Sequence, residues 1–254
     1  MGLVMKNFIL NFLLIWFCLV PPSIAGKGAE DLKYMTESLP PYSYEDEGEL
    51  TGFSVELLKL IWQELGVKEQ RINMMPWARA YLKLGTEENT VLFTISRAAH
   101  REHLFKWVCP ITLGSKHVFL AKKDRHITIS SLEDSKKYRI GTVRDDVLEQ
   151  LMLKKGFALK DFSRVTNIIQ NVKKLNLNRI DLIAQNETSI LDVITEHGYN
   201  PNSYESVFVI MQVQSCYAFN KNVDDKIIFQ FKNALNKVRL SNEFNVLKKT
   251  FSIE

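Results

Sequence analysis

The stretch YRIGTVRDDVLEQLMLKKG, residues 138–156, decides the fold class. It begins with an apolar, β-rich run over residues 138–143, and Asp145 and Asp146 then stand where a helix would start. Apolar side chains repeat at helical spacing from there to Gly156, which ends the pattern. A strand followed directly by a helix is the unit from which α/β sheets are built.

The same strand-and-helix unit recurs on both sides of this stretch. A predicted strand over residues 180–184 precedes a helix over residues 187–197, and a strand over residues 32–36 precedes a helix that Ser54 caps. Further predicted elements are strands over residues 91–95, 118–121 and 207–217, and helices over residues 76–85, 224–239 and 242–251. We therefore predict an α/β fold with largely parallel sheets. Two lobes of about 100 residues suit the length better than one continuous sheet.

The composition narrows the functional class. The chain has 254 residues, 46% of them hydrophobic and 24% charged, which provides core material for one large domain or two ordinary ones and excludes a disordered chain. The net charge of +4, without a dense run of Lys and Arg, argues against a nucleic-acid partner. Three cysteines are too few for a disulfide scaffold.

The first segment has the layout of an export signal. Lys6 is its only charge, and an apolar run over residues 8–20 is followed by a proline pair and small residues up to Ala25. We predict a signal peptide over residues 1–25 that is cleaved after Ala25, and hence an exported protein. An uncleaved membrane anchor is the alternative, but a spanning helix needs about 20 apolar residues.

Cleavage would leave two cysteines, Cys109 and Cys216. An oxidising compartment permits one long-range disulfide between them, but the sequence does not show that their Cα atoms lie within bonding distance. Two half-buried thiols are the favoured interpretation.

Motifs of the common enzyme classes are absent from the sequence. It has no nucleophile elbow, no zinc-protease pair, no phosphate-binding Walker loop and no dinucleotide fingerprint. His100 and His103 are close together but lack an evident third ligand, and a solvated start of a helix explains them better than a metal site. We predict no catalytic residue, no metal and no cofactor.

The segment FTISRAAHR, residues 93–101, is the strongest candidate for a binding site. A strand ends there in small hydroxyl side chains, and a basic helix opening is expected to follow. Strand ends and free helix N–H groups favour anions, and Arg101 has the guanidinium that can hold a carboxylate through two parallel hydrogen bonds. From spacing alone, Arg97 and Arg101 are more simply two surface cations.

Five segments together resemble a known family, solute-binding protein family 3, the periplasmic receptors of amino-acid-type ABC importers. Their order along the chain matches the family pattern, and they span nearly all of the chain after the signal segment. They are PPYSY at residues 40–44, LTGFSVELL at 50–58, the stretch from Thr94 and Ser96 through Arg101 to FKW at 105–107, IGTVRDD at 140–146, and RIDLI at 179–183.

The resemblance implies a type II periplasmic-binding-protein clamp, in which two α/β lobes joined by two crossover segments enclose a ligand. Lobe 1 would be residues 27–113 plus 216–254 and lobe 2 residues 114–215, with crossovers near residues 112–115 and 212–215. It further implies a monomeric, non-enzymatic protein that captures a small polar solute bearing a carboxylate, an amino acid or a relative of one. The closed form would dock on a membrane ABC permease.

The resemblance also implies roles for individual residues. Arg101 matches the arginine that holds the ligand carboxylate, and Thr94 and Ser96 match its hydroxyl and backbone partners. Trp77 falls at or next to an aromatic residue that stacks on the ligand. Tyr42 matches another aromatic residue of the family.

Five residues depart from the family pattern: Asn186, Asp145, Asp146, Ala98 and Leu39. Asn186 stands where many members place an aspartate that pairs with the ligand ammonium, and an amide brings no charge. Glu187 is the alternative partner for that ammonium, or a first-turn acid of a helix. Asp146 occupies a loop that usually carries Gly and Thr or Ser, so it either binds a positive group or, as we favour, caps the following helix.

Two other functions use the same fold. One is a ligand-sensing module that serves a membrane signalling partner. The other is a dehydratase acting on cyclohexadienyl acids, for which Glu187 or Asp146 would be the general acid.

Overall fold

The computed structural model describes residues 28–253, so the predicted signal peptide lies outside the described residues. Its fold is α/β, as predicted, with ten strands and seven α-helices in this part of the chain. The strands are β1 (Lys33–Thr36), β2 (Tyr44–Asp46), β3 (Glu49–Thr51), β4 (Ile72–Met74), β5 (Thr90–Ser96), β6 (Lys106–Lys122), β7 (Ile140–Val143), β8 (Phe162–Val165), β9 (Leu182–Asn186) and β10 (Tyr204–Phe219). The helices are α1 (Phe53–Leu65), α2 (Trp77–Thr86), α3 (Val147–Lys154), α4 (Ile168–Asn176), α5 (Glu187–Glu196), α6 (Asp225–Arg239) and α7 (Asn242–Thr250).

Eight strands form one sheet in the order β4-β1-β5-β10-β6-β9-β7-β8, and β2 and β3 form a separate hairpin. The two ends of the sheet are parallel, as predicted: β1 runs parallel to β4 and β5, and β7 runs parallel to β8 and β9. The centre is antiparallel, because β10 pairs antiparallel with β5 and β6, and β6 with β9. The expectation of largely parallel, separate sheets is wrong here, since β6 and β10, of 17 and 16 residues, run through both halves.

The two predicted crossover segments, residues 112–115 and 212–215, lie side by side in the middle of β6 and β10. The Thr112 and Ser215 hydroxyls are hydrogen-bonded at 2.8 Å between these segments. The β10 register shifts on both sides of Ser215, and Gly114 has a φ of 64°, so the pairing is irregular at this point. In the part of the chain that the structure describes, β6 and β10 are the strands that lie between the parallel ends of the sheet.

Cys109 and Cys216 form a disulfide with an S–S distance of 2.10 Å and a Cα–Cα distance of 4.6 Å. The favoured interpretation of two free thiols is therefore wrong. The cause is the pairing of β6 with β10, which places Val108 opposite Tyr217 and so brings the neighbouring cysteines together. The length of these strands was not evident from the sequence.

Helix α1 buries Leu57, Leu58 and Ile61 completely against the sheet. Its N-cap is Gly52, with a φ of 116°, where a Cβ atom would come within 2.6 Å of the Tyr42 carbonyl group. The predicted cap at Ser54 is wrong, since that residue lies inside the helix. A second apolar cluster packs around α3 on the other half of the sheet. Within residues 28–253, no helix has the length and apolar composition to cross a membrane.

Candidate functional site

A small cavity lies beside the irregular centre of the sheet, with walls from both of its halves. Seven of the eight predicted site residues line it: Tyr42, Trp77, Thr94, Ser96, Arg101, Asp146 and Asn186. The other lining residues are Glu37, Leu39, Ser115, His117, Val147, Gln185 and Ser215. The cavity volume is about 30 Å³, which is room for one or two water molecules and not for an amino acid.

Arg101 is the central cation of the cavity, and its side chain is completely buried. Its Nε donates to Gln150 Oε1 at 2.9 Å and its Nη2 donates to the Asp145 carbonyl oxygen at 3.1 Å. No carboxylate among the described residues forms an ion pair with it. The surface-cation interpretation is therefore wrong for Arg101.

Arg97, His100 and His103 lie on the same turn but do not line the cavity. Arg97 is a partly exposed cation whose Nε donates to Glu102 at 2.8 Å, as the surface interpretation predicted. The expected α-helix does not form after β5; a 3₁₀ turn over Glu102–Leu104 takes its place. Among the described residues, no three His, Cys, Asp or Glu side chains are placed to share a metal ion.

Two aromatic rings hold the Arg101 guanidinium from the side of α2. Trp77 and Tyr81 are one helical turn apart and stack with ring centroids 5.6 Å apart. The guanidinium carbon lies 5.3 Å from the Trp77 ring centroid and 4.7 Å from that of Tyr81, which is the range of cation–π contacts. Tyr81 was not predicted, although its spacing from Trp77 is a signal that sequence reasoning can use.

The end of β5 supplies polar groups to the cavity. Thr94 has a φ of 62°, which is uncommon for a β-branched residue, and its buried hydroxyl has no hydrogen-bond partner among residues 28–253. The Ser96 hydroxyl lies 3.1 Å from His117 Nε2. Burial, reinforced by the charge of Arg101, lowers the pKa of His117 to about 4, so this imidazole is neutral at neutral pH. His117 was missed because it lies mid-strand without a motif.

Two acids face Arg101 across the cavity. Glu37 follows β1, and burial, with a smaller contribution from Asp146, raises its pKa from 4.5 to about 8 against the opposing effect of Arg101. Burial also raises the pKa of Asp146, and its interaction with Arg101 opposes the rise. Asp146 caps α3 as we favoured, because its carboxylate accepts from the Leu148 N–H at 2.9 Å, and it also lines the cavity. Glu37 was not predicted.

Asn186 and Glu187 are adjacent in sequence but lie in different places. Asn186 lines the cavity and caps α5, since its Oδ1 accepts from the Ser189 N–H at 3.0 Å. Glu187 does not line the cavity; it accepts from the Ser206 hydroxyl at 2.5 Å and faces a neighbouring crevice. Asn186 ends β9 and Glu187 begins α5, so the change of backbone conformation between them directs the two side chains to different places. Because Glu187 lies outside the cavity, it is not placed to act as a general acid on a solute bound there.

The wall opposite Arg101 is a rigid turn between β7 and α3. Asp145 lies in this turn with a φ of 59°, and its carbonyl oxygen accepts from Trp77 Nε1 at 2.9 Å and Gln150 Nε2 at 3.0 Å, besides Arg101. Its N–H donates to the buried carboxylate of Glu149 at 3.0 Å. Arg164 donates twice to that carboxylate, at 2.9 and 2.8 Å, so an ion pair anchors the turn.

The family model of the bacterial extracellular solute-binding proteins, family 3, matches residues 32–253. The chain belongs to this family. Its fold is accordingly the two-lobed type II clamp that the sequence resemblance implied.

Three relatives illustrate the match. The arginine-binding extracellular protein ArtP of Bacillus subtilis (strain 168) is 24% identical over 219 residues, covering 82% of this chain and 80% of ArtP. A histidine kinase sensor domain with similarity to periplasmic binding proteins superposes with a TM-score of 0.77 at 18% identity, covering 88% of this chain and 96% of that one. The arginine-, lysine-, histidine-binding protein ArtJ of Geobacillus stearothermophilus gives a TM-score of 0.73 at 17% identity, covering 86% of this chain and 94% of ArtJ.

Proposed function

We propose that this protein captures a small solute that carries a carboxylate and at least one cationic group, an amino acid or a close relative of one. The observation that carries the proposal is Arg101, which is fully buried and lacks a carboxylate partner within the described residues. A buried charge without a counter-charge costs several kcal/mol, typically about 3–5. The carboxylate of a solute would supply that counter-charge.

The acids of the cavity indicate which cationic groups the solute carries besides its carboxylate. Glu37 and Asp146 line the same space as Arg101, while His117 is neutral there. One cation opposed by two acids is balanced by a solute with one carboxylate and two cationic groups. L-Arginine has this pattern of charges, and ArtP and ArtJ are both named for arginine binding. It is therefore the first solute to test.

The proposed mechanism is closure of the two lobes around the solute. We assign lobe 1 to residues 27–113 plus 216–254 and lobe 2 to residues 114–215, so that Arg101 and Glu37 lie on lobe 1 and Asp146 on lobe 2. A solute that touches both lobes favours the closed form. The solute shifts the lobes only by as much as its affinity differs between their open and closed arrangements.

The proposed setting is the periplasm, after cleavage of residues 1–25, with the monomeric closed form delivering the solute to a membrane ABC permease. Family membership supports this setting. The sensor-domain neighbour has the same fold, so signalling through a membrane partner is the second candidate. Deleting the gene discriminates between them: a transport protein predicts loss of labelled solute uptake, whereas a sensor predicts intact uptake and a changed transcriptional response.

A thermal-shift panel tests the proposed solute class. It should contain L-arginine, L-lysine, L-glutamine and agmatine, which is arginine without its carboxylate. A solute present at 100 times its Kd should stabilise the protein by about 2.7 kcal/mol. We expect a clear shift with L-arginine or L-lysine and a much smaller one with agmatine. No shift with any amino acid would contradict the proposal.

The variant Arg101→Met tests the carboxylate contact directly. It removes the guanidinium but keeps an apolar side chain between the aromatic rings. We expect the Kd for L-arginine, measured by calorimetry, to rise about 100-fold, because a charge-assisted pair of hydrogen bonds is lost. Arg97→Met is the matched control, since Arg97 lies on the same turn outside the cavity. An unchanged Kd in Arg101→Met would rule out the role of Arg101.

A further inference from the structure

The guanidinium of Arg101 has one edge that is already occupied by the opposite wall of the cavity. Nε and Nη2 lie on the same edge of the planar group, and this is an edge on which a carboxylate can accept two parallel hydrogen bonds. Here the two acceptors are Gln150 Oε1, at 2.9 Å, and the Asp145 carbonyl oxygen, at 3.1 Å. Two oxygens of lobe 2 therefore accept from the two N–H groups that a carboxylate would bind on this edge.

The contact is reinforced by its neighbours. Gln150 Nε2 donates to the same Asp145 carbonyl at 3.0 Å, so both acceptors are held relative to each other. Trp77 Nε1 donates to that carbonyl from lobe 1 at 2.9 Å. The turn that carries the carbonyl is anchored by the ion pair between Glu149 and Arg164.

The cavity is too small to hold a solute while Arg101 contacts Gln150 and the Asp145 carbonyl group. With the Arg101 edge occupied, the cavity volume is about 30 Å³, too small for an amino acid. A solute can enter only when the walls separate, which breaks the bonds from Arg101 and Trp77 to lobe 2.

We infer that Gln150 and the Asp145 carbonyl stand in for the solute carboxylate at Arg101, and that Gln150 thereby sets the affinity of the protein for carboxylate solutes. The ligand-free protein closes on itself through this internal substitute. A solute must displace it, so its observed affinity is reduced by the fraction of molecules that are closed. The inference deepens the proposed function and rests on it only for the identity of the competing solute.

Substitutions at Gln150 should change affinity in opposite directions. Gln150→Met keeps the length of the side chain but removes the acceptor, so we expect the Kd for L-arginine to fall about tenfold, the equivalent of one hydrogen bond to a charged group. Gln150→Glu keeps an acceptor for Nε and gives it a charge, so we expect the Kd to rise about tenfold. If Gln150 merely maintained the fold, the two substitutions would not change the Kd for L-arginine in opposite directions. Gln63→Met, on the exposed surface of α1, is the control.

The ligand-free protein provides an independent readout. The Trp77 indole N–H is bonded to the Asp145 carbonyl across the cavity, and its hydrogen exchange by NMR reports opening. We expect exchange about tenfold faster in Gln150→Met and no faster in Gln150→Glu. The indole N–H of Trp107, which donates to the Glu102 carbonyl within lobe 1, is the internal reference and should not change.

The outcomes separate this inference from the proposed function. If the wild-type protein does not bind L-arginine, the proposed solute is wrong, and the Trp77 exchange rates still decide whether Gln150 holds the closed form. Unchanged exchange in Gln150→Met would overturn the inference. So would a Kd for L-arginine that is unchanged or higher in that variant, since Gln150 would then not compete with the solute.

Discussion

Glu37 and Arg101 show how single side chains divide the charge of the cavity. Arg101 keeps its charge when buried because guanidinium groups do not lose their proton in proteins. Glu37 responds differently, since burial and the nearby Asp146 raise its pKa to about 8. At neutral pH the ligand-free cavity therefore contains a charged Arg101 and a largely protonated Glu37. A cationic group on the solute would ionise Glu37 on binding.

This linkage predicts proton release when a cationic solute binds. Because the pKa of Glu37 is raised above its ordinary value, the ligand-free protein loses stability as the pH rises from about 4.5 to about 8. Bound cation reverses the shift, so L-arginine binding near pH 7 should release up to about one proton, and affinity should rise with pH until about pH 8. Calorimetry in buffers of different ionisation enthalpy measures this number.

The variant Glu37→Gln provides the control for that prediction. It removes the titrating group and should abolish most of the proton release while leaving the carboxylate contact at Arg101. The variant Asp146→Asn measures how much of the proton release comes from the second acid, whose pKa is also raised. His117 is already neutral in this pH range and contributes none. Equal proton release in the wild type and in Glu37→Gln would show that the released proton does not come from Glu37.

At the scale of elements, the turn between β7 and α3 depends on one ion pair. Glu149 is completely buried, and its carboxylate accepts from the Thr142 hydroxyl at 2.7 Å and from the Asp145 N–H at 3.0 Å. It forms an ion pair with Arg164 of β8, whose side chain is partly exposed. The pair fixes the first residues of α3 to the neighbouring strand. It thereby also fixes the carbonyl group that contacts Arg101.

Removing only one partner of this pair should be costly. Arg164→Met leaves the Glu149 carboxylate buried without its counter-charge, and we expect the free energy of unfolding to fall by about 3 kcal/mol. Urea unfolding at neutral pH measures the loss. The double variant Glu149→Gln with Arg164→Met removes both charges and should recover most of that stability. A double variant as unstable as the single one would show that packing, not the unpaired charge, causes the loss.

The elements and the site could be predicted from the sequence to different extents. Alternation of strands and helices identified the α/β class, and motif resemblance located seven residues that line the cavity. Alternation contains no information on strand direction, so the antiparallel centre was missed. Glu37, His117 and Gln150 were missed for a related reason. Each belongs to the site only because distant segments meet there, and a polar residue without a motif is not distinguishable from a surface residue.

At the scale of the whole molecule, two long strands connect the halves of the sheet. β6 and β10 pair along most of their length, and two of the four register shifts in this pairing flank Ser215, in the section formed by residues 112–115 and 212–215. The proposed closure of the two lobes would pivot about this section, because it lies where the halves of the sheet meet. The disulfide between Cys109 and Cys216 joins these strands next to that section.

This placement predicts that the disulfide stabilises the fold without setting the affinity. The bond closes a loop with a sequence separation of 107 residues, so the double variant Cys109→Ser with Cys216→Ser should lose about 4 kcal/mol of unfolding free energy. Neither cysteine lines the cavity, so the Kd for L-arginine should change by less than about twofold at a temperature where the variant is folded. Urea unfolding and calorimetry measure the two quantities, and the wild type under reducing conditions should match the variant in both. A large change in Kd with intact folding would mean that the bond restrains closure itself, and the pivot would then have to include residues on the lobe 1 side of the crossover.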